Sequence, residues 1–260
     1  AAEAAGARLR FQTGAVLEEI CNGERVVRLR PSDGAAVERV RARVVLVAAG
    51  LQHQVLARLD ASSTRIAGSS RLGAGCLIDD DDGVYASGAI HMAVARHGYV
   101  GLVRREDGAL NLAAAFDPAA LRSAGGAARA ARAVISEAGF AVPRALETSR
   151  WQLTSALTRH ADAFAGQRFL LLGDASGYVE PFTGEGMAWA LAAGAAVAPF
   201  AEEAQRQWSR DLEQRWHQRL KLLTVNRQRL CRLLSTLLRQ PLATDAMFRL
   251  GGHWPSLPPP

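Results

Sequence analysis

Between Phe169 and Gly194 the chain reads FLLLGDASGYVEPFTGEGMAWALAAG, and this stretch constrains the fold more than any other. Phe169–Leu172 is a short, wholly apolar run that stops at Gly173, the pattern of a buried strand ended by a sharp turn. Asp174 then falls at the carboxyl end of that strand, where ligands bind in open α/β sheets. An ionised carboxylate only accepts hydrogen bonds, so the position suits a ligand hydroxyl or a backbone N–H. Gly184 and Gly186 flank the start of an apolar helix, Met187–Phe200, expected to end near Pro199. Glycine lets a ligand approach the backbone closely, and a helix N-terminus presents free N–H groups and a partial positive charge. The segment predicts a strand, an acid at its end, and a helix mouth that suits something anionic or able to become so. A P-loop is excluded, because no Gly-Lys-Ser/Thr follows the glycines. Ser176 sits in no GxSxG elbow, which argues against a serine nucleophile.

The rest of the chain divides by pattern. Residues 8–48 read as strands: Arg8–Thr13, Ala15–Ile20, Arg25–Arg30 and Val37–Val40, with Asn22-Gly23 and Asp33-Gly34 as hairpin turns. Val44–Ala48 follows as a continuous apolar run, typical of a strand covered on both faces in a parallel sheet. A second sheet is expected over residues 61–117, from Val84–Ala95, Tyr99–Arg104 and Ala109–Phe116, the last two joined at Asp107-Gly108. Pro118 opens a predicted helix over Ala119–Ala138, and Trp151–Ser155 is a short strand. From Glu202 to Arg239 the pattern is amphipathic, with Leu220, Leu223, Leu230, Leu233, Leu234 and Leu237 at helical spacing.

Composition removes several classes. Of 260 residues 49% are hydrophobic and 22% charged, which excludes a mainly disordered chain. No run reaches the ~18 apolar residues of a membrane span. Lys+Arg 31 against Asp+Glu 25 gives +6, but the cations are scattered arginines with Lys221 the one lysine, so no nucleic acid partner is expected. The densest set, Arg206 to Arg239, lies on the amphipathic segment. With Trp208 and Trp216 it makes these helices the one candidate for peripheral membrane or acidic-partner contact, set against plain packing. Cys21, Cys76 and Cys231 form no CxxC pair, and the first residues carry no signal peptide, so a reducing cytoplasm fits best. Asp79 to Asp82 read as an exposed loop, and the six histidines form no metal-like pair; no metal is expected.

With those residues in view, GDASGYVEPFTGEGM resembles the second flavin-binding motif of FAD-dependent monooxygenases and geranylgeranyl reductase-like flavoproteins, a nearly continuous match from Gly173 to Met187. The resemblance implies an FAD contact set of Gly173, Asp174, Ala175, Pro181, Thr183, Gly184, Glu185, Gly186 and Met187. In it, Asp174 accepts from a ribityl hydroxyl, Pro181 lies beside the isoalloxazine, and the amides around Gly184, Glu185 and Gly186 face its pyrimidine edge. A helix N-terminus stabilises the charge of reduced flavin by ~0.3–2 kcal/mol. For a two-electron couple that raises the potential by roughly 10–40 mV.

The resemblance extends less specifically over most of the chain. ARVVLVAAGLQ resembles the strand returning to the FAD sheet, with Ala49 where the family has the aspartate of ADG, and HGYVGLVRREDGALNLAAAFDP resembles a substrate-domain hairpin. It implies an α/β fold: part of a Rossmann-like FAD-binding domain with a β-meander (1–60), an antiparallel substrate sheet (61–155), the GD motif and its helix (156–200), and C-terminal helices (201–260). NAD(P)H would be the reductant, and the substrate an apolar or aromatic small molecule, hydroxylated or reduced at a double bond. Ile90, Met92, Tyr99 and Leu102 are expected to line one face of the second sheet, and Arg104 and His91 are the acid–base candidates. No GxGxxG occurs, so the chain is expected to begin inside the flavin domain and to bind FAD poorly alone. Two alternatives remain: an inactive fragment or interaction module, and a flavin-dependent halogenase. The WxWxIP segment of halogenases has GYVGLVR as its nearest counterpart here, without Trp or Pro.

Overall fold

The computed structural model describes residues 2–51, 53–59, 64–79, 83–180 and 184–237. The chain forms two units. The first comprises Ala1–Arg65, His160–Tyr178 and Gly184–Asn226; the second comprises Ile66–Arg159, Val179–Thr183 and Arg227–Pro260.

The first unit opens with an antiparallel meander of β1 (Thr13–Cys21), β2 (Glu24–Pro31) and β3 (Glu38–Ala42). Asn22 and Gly23 take φ of +51° and +77°, the primed two-residue turn expected of Asn-Gly. The stretch before Thr13 is not a strand. Gln12 adopts φ +49°, which breaks an extended run, and Phe11 is left 80% exposed. Asp33-Gly34 is not a two-residue hairpin either: β2 stops at Pro31, which has no N–H for the ladder, and β3 resumes only at Glu38. Within that longer loop the Asp33 carboxylate accepts from the Ala35 N–H at 3.0 Å. Then follow β4 (Val45–Val47) and β5 (Thr64–Ile66).

The second unit is built on β6 (Leu72–Ile78), β7 (Ile90–Ala95), β8 (Gly98–Arg104) and β9 (Leu110–Phe116), then α1 (Pro118–Ala124), α2 (Ala127–Glu137) and β10 (Gln152–Ala156). The sheet order is β10-β6-β9-β8-β7, antiparallel throughout. Period-two alternation puts Cys76, Ile78, Val100, Leu102, Leu112 and Phe116 on one face, in a single core with Leu121, Ala131, Val134 and Ile135 of the helices. Burial pushes the Cys76 thiol up to about 11, so it behaves as a small apolar side chain. The single helix expected over Ala119–Ala138 is two, because Gly125 and Gly126 take φ of +74° and +137° and end the first with a left-handed cap. The strand expected from Val84 begins only at Ile90, after Gly88 turns at φ +75°. Of the acidic run, Asp80 to Asp82 lie outside the described residues.

The chain then supplies β11 (Arg159–Ala161), β12 (Ala165–Gly166), β13 (Phe169–Leu171), β14 (Gly177–Tyr178), α3 (Gly186–Arg206) and α4 (Arg210–Leu237). β14, β11 and β5 form one small sheet; β12, β13 and β4 form another. In the latter, β13 runs parallel to β4, with Leu170 opposite Leu46 and Leu171 opposite Val47. One face packs Val47, Phe169 and Leu171 with Leu17, Leu56 and Ala175. The other packs Leu170 with Ala193 and Val197 of α3 and Leu212, Trp216 and Leu220 of α4. The expectation that the strand at Val44–Ala48 is covered on both faces is corrected here. Leu46 is 42% exposed, and the outer edge of β4 has no strand partner among the described residues.

The expected stop at Pro199 is also overturned, since α3 runs on to Arg206 with Pro199 inside it. A proline costs one backbone hydrogen bond, and here Val197 and Ala204, buried on either side of it, hold the helix to the core. α4 starts after Ser209, whose hydroxyl accepts from the Leu212 N–H at 3.1 Å. Of the leucine stripe, Leu220 is buried and Leu233 exposed, while the side chains of Leu230, Leu234 and Leu237 lie outside those described. Among the described residues no helix is long and apolar enough to cross a membrane.

Candidate functional site

At the end of β13, Leu172 stays extended and its N–H donates to the Val47 carbonyl at 2.9 Å, so the parallel pairing holds up to the turn. Gly173 then takes φ +52° and opens a single 3-10 turn, Gly173–Ser176. A Cβ on Gly173 would lie 3.4 Å from that of Ala190, because the strand end packs against the first turns of α3. Ser176 donates its hydroxyl to the Gly173 carbonyl at 2.7 Å and so closes the turn. Ala175 is buried in the core below. Asp174, by contrast, is half-buried, and its carboxylate has no hydrogen bond or ion pair among the described residues. Burial holds its pKa above the ordinary carboxylate value.

That shift has a sign. A carboxyl whose folded pKa is raised binds more protons folded than unfolded, so it opposes folding once ionised, and the penalty disappears as pH falls through the folded pKa. The ligand-free Asp174→Asn variant should therefore melt above the parent at pH 7. The gap should close as pH drops through the raised pKa, in paired thermal melts.

The start of α3 faces the same construction. Gly184 takes φ +70° with nothing within 4 Å of where a Cβ would stand. Glu185 is the N-cap residue but makes no side-chain cap bond, so the amides of Gly186, Met187 and Ala188 receive no cap from it. Gly186 lies against the Tyr178 ring, 3.7 Å from a notional Cβ. Met187 is 79% exposed, and the buried indole N–H of Trp189 has no acceptor among the described residues. Gly173, Asp174, Ala175, Gly184, Glu185, Gly186 and Met187 thus all belong to the first unit, around one strand end and one helix mouth. Pro181 and Thr183 lie outside the described residues. Among the described residues, an acceptor without a donor, a helix N-terminus that Glu185 does not cap and a left-handed glycine with open space fit a ribityl chain and the electron-rich edge of a flavin.

The second unit contains a polar cluster that the sequence did not announce. Arg71, in the segment before β6, is fully buried. Its Nη1 donates to Glu180 Oε1 at 3.0 Å and its Nε to Asp117 Oδ1 at 3.1 Å. Asp117-Pro118 could be read as a helix start, but nothing in the local sequence marks Arg71 as interior.

The same unit corrects one other expectation. Leu102 does not share a face with Ile90, Met92 and Tyr99. It is fully buried on the helix-covered side, because β8 alternates and Leu102 and Tyr99 differ by an odd number of residues. His91, in register with Leu102, sits edge-on to Tyr85 at 5.1 Å between ring centroids, and Arg104 holds the Tyr85 and Gly108 carbonyls at 2.8 and 2.9 Å. Arg104 is thus tied to backbone carbonyls, whereas the buried Nε2 of His91 has no hydrogen-bond partner among the described residues. No group of three or more metal-binding side chains occurs among the described residues.

No family model matches the chain, and no curated protein matches it. Solved structures do. A p-nitrophenol 4-monooxygenase from Pseudomonas putida superimposes with a TM-score of 0.67 at 17% identity, over 94% of this chain and 63% of its own. The myxobacterial chondrochloren halogenase, described as a variant of FAD-dependent halogenases, gives 0.67 at 14%, over 92% and 61%. The anhydrotetracycline hydroxylase of Streptomyces rimosus gives 0.67 at 16%, over 96% and 50%. The chain thus spans about half to two thirds of the length of these structures, and its fold is that of the FAD-binding monooxygenases.

Proposed function

We propose that this chain is part of an FAD-dependent oxidoreductase, with the turn at Gly173–Ala175 and the mouth of α3 holding the ribityl chain and ring of the flavin. The observation that carries the reading is Asp174: a half-buried carboxylate with no donor among the described residues, at the end of a parallel strand and beside a helix that Glu185 does not cap. Asp174 accepts from a ribityl hydroxyl, and the Gly186–Ala188 amides stabilise negative charge on the ring. FAD, when bound, supplies two-electron chemistry. NAD(P)H is the proposed reductant. The outer edge of β4 is where a dinucleotide-binding strand would extend the sheet in parallel.

Substrate recognition falls to the second unit. On the sheet face away from its helices, Gly75, Ala113, Gly101 and Met92 lie in register across four strands, with Leu77 and Ile90 exposed beside them. A floor of small residues with aliphatic edges suits an apolar or aromatic molecule. Hydroxylation is preferred over halogenation, because GYVGLVR in β8 lacks the Trp and Pro of the halogenase segment.

The protein purified from its complete reading frame should be yellow, with flavin absorption; a folded, colourless protein sinks the proposal. In that protein Asp174→Ala should weaken FAD by about 1–3 kcal/mol, the cost of a lost charge-assisted hydrogen bond, in a fluorescence titration. Substrate-stimulated NAD(P)H oxidation coupled to oxygen uptake identifies a monooxygenase, anaerobic turnover a reductase, and a halide requirement a halogenase.

A further inference from the structure

We infer that the arginine-bearing face of the β1–β3 meander binds a small organic phosphate, with Arg39 and Arg58 gripping its phosphomonoester group over the cavity they line. Side chains alternate along a strand, so Arg28 and Arg30 of β2 and Arg39 and Arg41 of β3 project from one face. Arg28 lies directly opposite Arg39. Like charges so placed are destabilising, and among the described residues the one carboxylate that reaches both is Glu18. Its carboxylate lies 3.2 Å from Nε of Arg28, and it accepts from Nε of Arg39 at 2.8 Å and from Nη1 of Arg58 at 3.1 Å. A bulge brings it there: the β1–β2 register shifts between Leu17 and Ile20, and a bulge re-aims the side chains it carries.

Exposed arginines elsewhere in the chain have a carboxylate each, as in Arg105–Asp107 and Arg132–Glu147. Here three share one. The hydrogen bond from Arg39 holds the Glu18 carboxyl below its ordinary range, so it stays ionised, yet it neutralises a single cation. Counting Glu19 and Glu24 as well, three carboxylates stand against Arg28, Arg30, Arg39, Arg41 and Arg58. Both Nη groups of Arg39 and the Nε and Nη2 of Arg58 have no acceptor among the described residues, and these side chains are 66% and 55% exposed. Arg39 and Arg58 line a cavity of about 640 Å³ together with Glu18, Glu19, Ile20 and Val26. Small-molecule sites span roughly 300–1,000 Å³. Spare guanidinium forks and unbalanced positive charge suit a phosphomonoester, which carries close to two charges and three acceptor oxygens, better than a single carboxylate. Ile20 and Val26 offer an apolar wall to the body of the molecule. Glu18 is the positioning residue, because it holds the arginines in place while leaving their outer edges open.

The test titrates the protein purified from its complete reading frame with phenyl phosphate, followed by calorimetry and phosphorus NMR. Phenyl phosphate should bind one per chain and more tightly than inorganic phosphate, and phenol should not displace it. Arg39→Ala and Arg58→Ala should each raise its Kd about tenfold, as for one lost charge-assisted hydrogen bond, while melting like the parent. Arg39→Lys, which keeps the charge and loses the fork, should fall between the two. Arg105→Ala removes the same charge from an exposed pair in the second unit and should change nothing. Two sources of a phosphomonoester are then told apart with NADP⁺ and NAD⁺, the one arm that draws on the reductant named above. Displacement by NADP⁺ alone assigns the site to the ribose phosphate of that nucleotide, and displacement by neither assigns it to a separate organic phosphate. Equal displacement by NAD⁺ would overturn the phosphomonoester. So would phenyl phosphate that fails to saturate or binds no tighter than inorganic phosphate, a parent-like Kd in Arg39→Ala, or a loss as large in Arg105→Ala. These outcomes do not depend on whether the protein takes up flavin.

Discussion

Arg71→Met is expected to destabilise the second unit by about 3–5 kcal/mol, read as a lowered urea midpoint by circular dichroism, because it leaves the Glu180 carboxylate buried without its cation. The size follows from burial. Arg71 is 0% and Glu180 2% exposed, so water cannot replace the lost partner. The exposed pairs of this chain should behave differently. Arg105–Asp107, with side chains 47% and 55% exposed, should contribute about 0–1 kcal/mol. Adding Glu180→Leu to Arg71→Met should recover most of the loss, since both charges are then gone; a double variant no more stable than the single would place the cost elsewhere.

The second large effect is expected at Trp216, the largest fully buried side chain among the described residues. Its indole packs edge-on to Phe200, 5.3 Å between centroids, and donates Nε1–H to the Leu171 carbonyl at 3.3 Å. Trp216→Ala should cost about 3–5 kcal/mol, the range for truncating a large aromatic in a core. Leu171 is the last residue of β13, directly before the turn that carries Asp174, so the same variant should also weaken FAD in the intact protein. Denaturation has to be followed by more than one probe, because a chain of two units is not guaranteed to unfold in one step. A Trp216→Ala protein with parent-like stability would contradict the packing of α4 on the β13–β4 sheet.

What could be read from the sequence was whatever has a local cause. Asn22-Gly23 makes its turn because both residues tolerate positive φ, and Phe169–Leu171 is a buried strand because nothing polar interrupts it. The turn at Gly173–Asp174 and the helix start at Gly186 follow the local pattern of apolar run, glycine and apolar helix, because these are neighbours in sequence. Expectations failed where tertiary packing decided. Pro199 looked like a stop, but the buried Val197 and Ala204 carry α3 past it. Leu102 was put on the wrong face, because the register of β8 depends on its partner strands β7 and β9. Arg71 was invisible, since its partners Asp117 and Glu180 lie 46 and 109 residues away.

The pairing of Val45–Val47 with Phe169–Leu171 has a consequence for biogenesis. A ribosome delivers β4 long before β13, so the parallel sheet cannot close until all of Ile66–Arg159 has been made, and joining such distant segments is entropically slow. Within the second unit's sheet, β6 to β9 have no such wait, because these four strands are contiguous in the nascent chain and only β10 joins later. Arg71 is the exception within it: Asp117 arrives with the sheet, but Glu180 comes only after β13 has been made, so the last carboxylate partner of this buried arginine is delivered late.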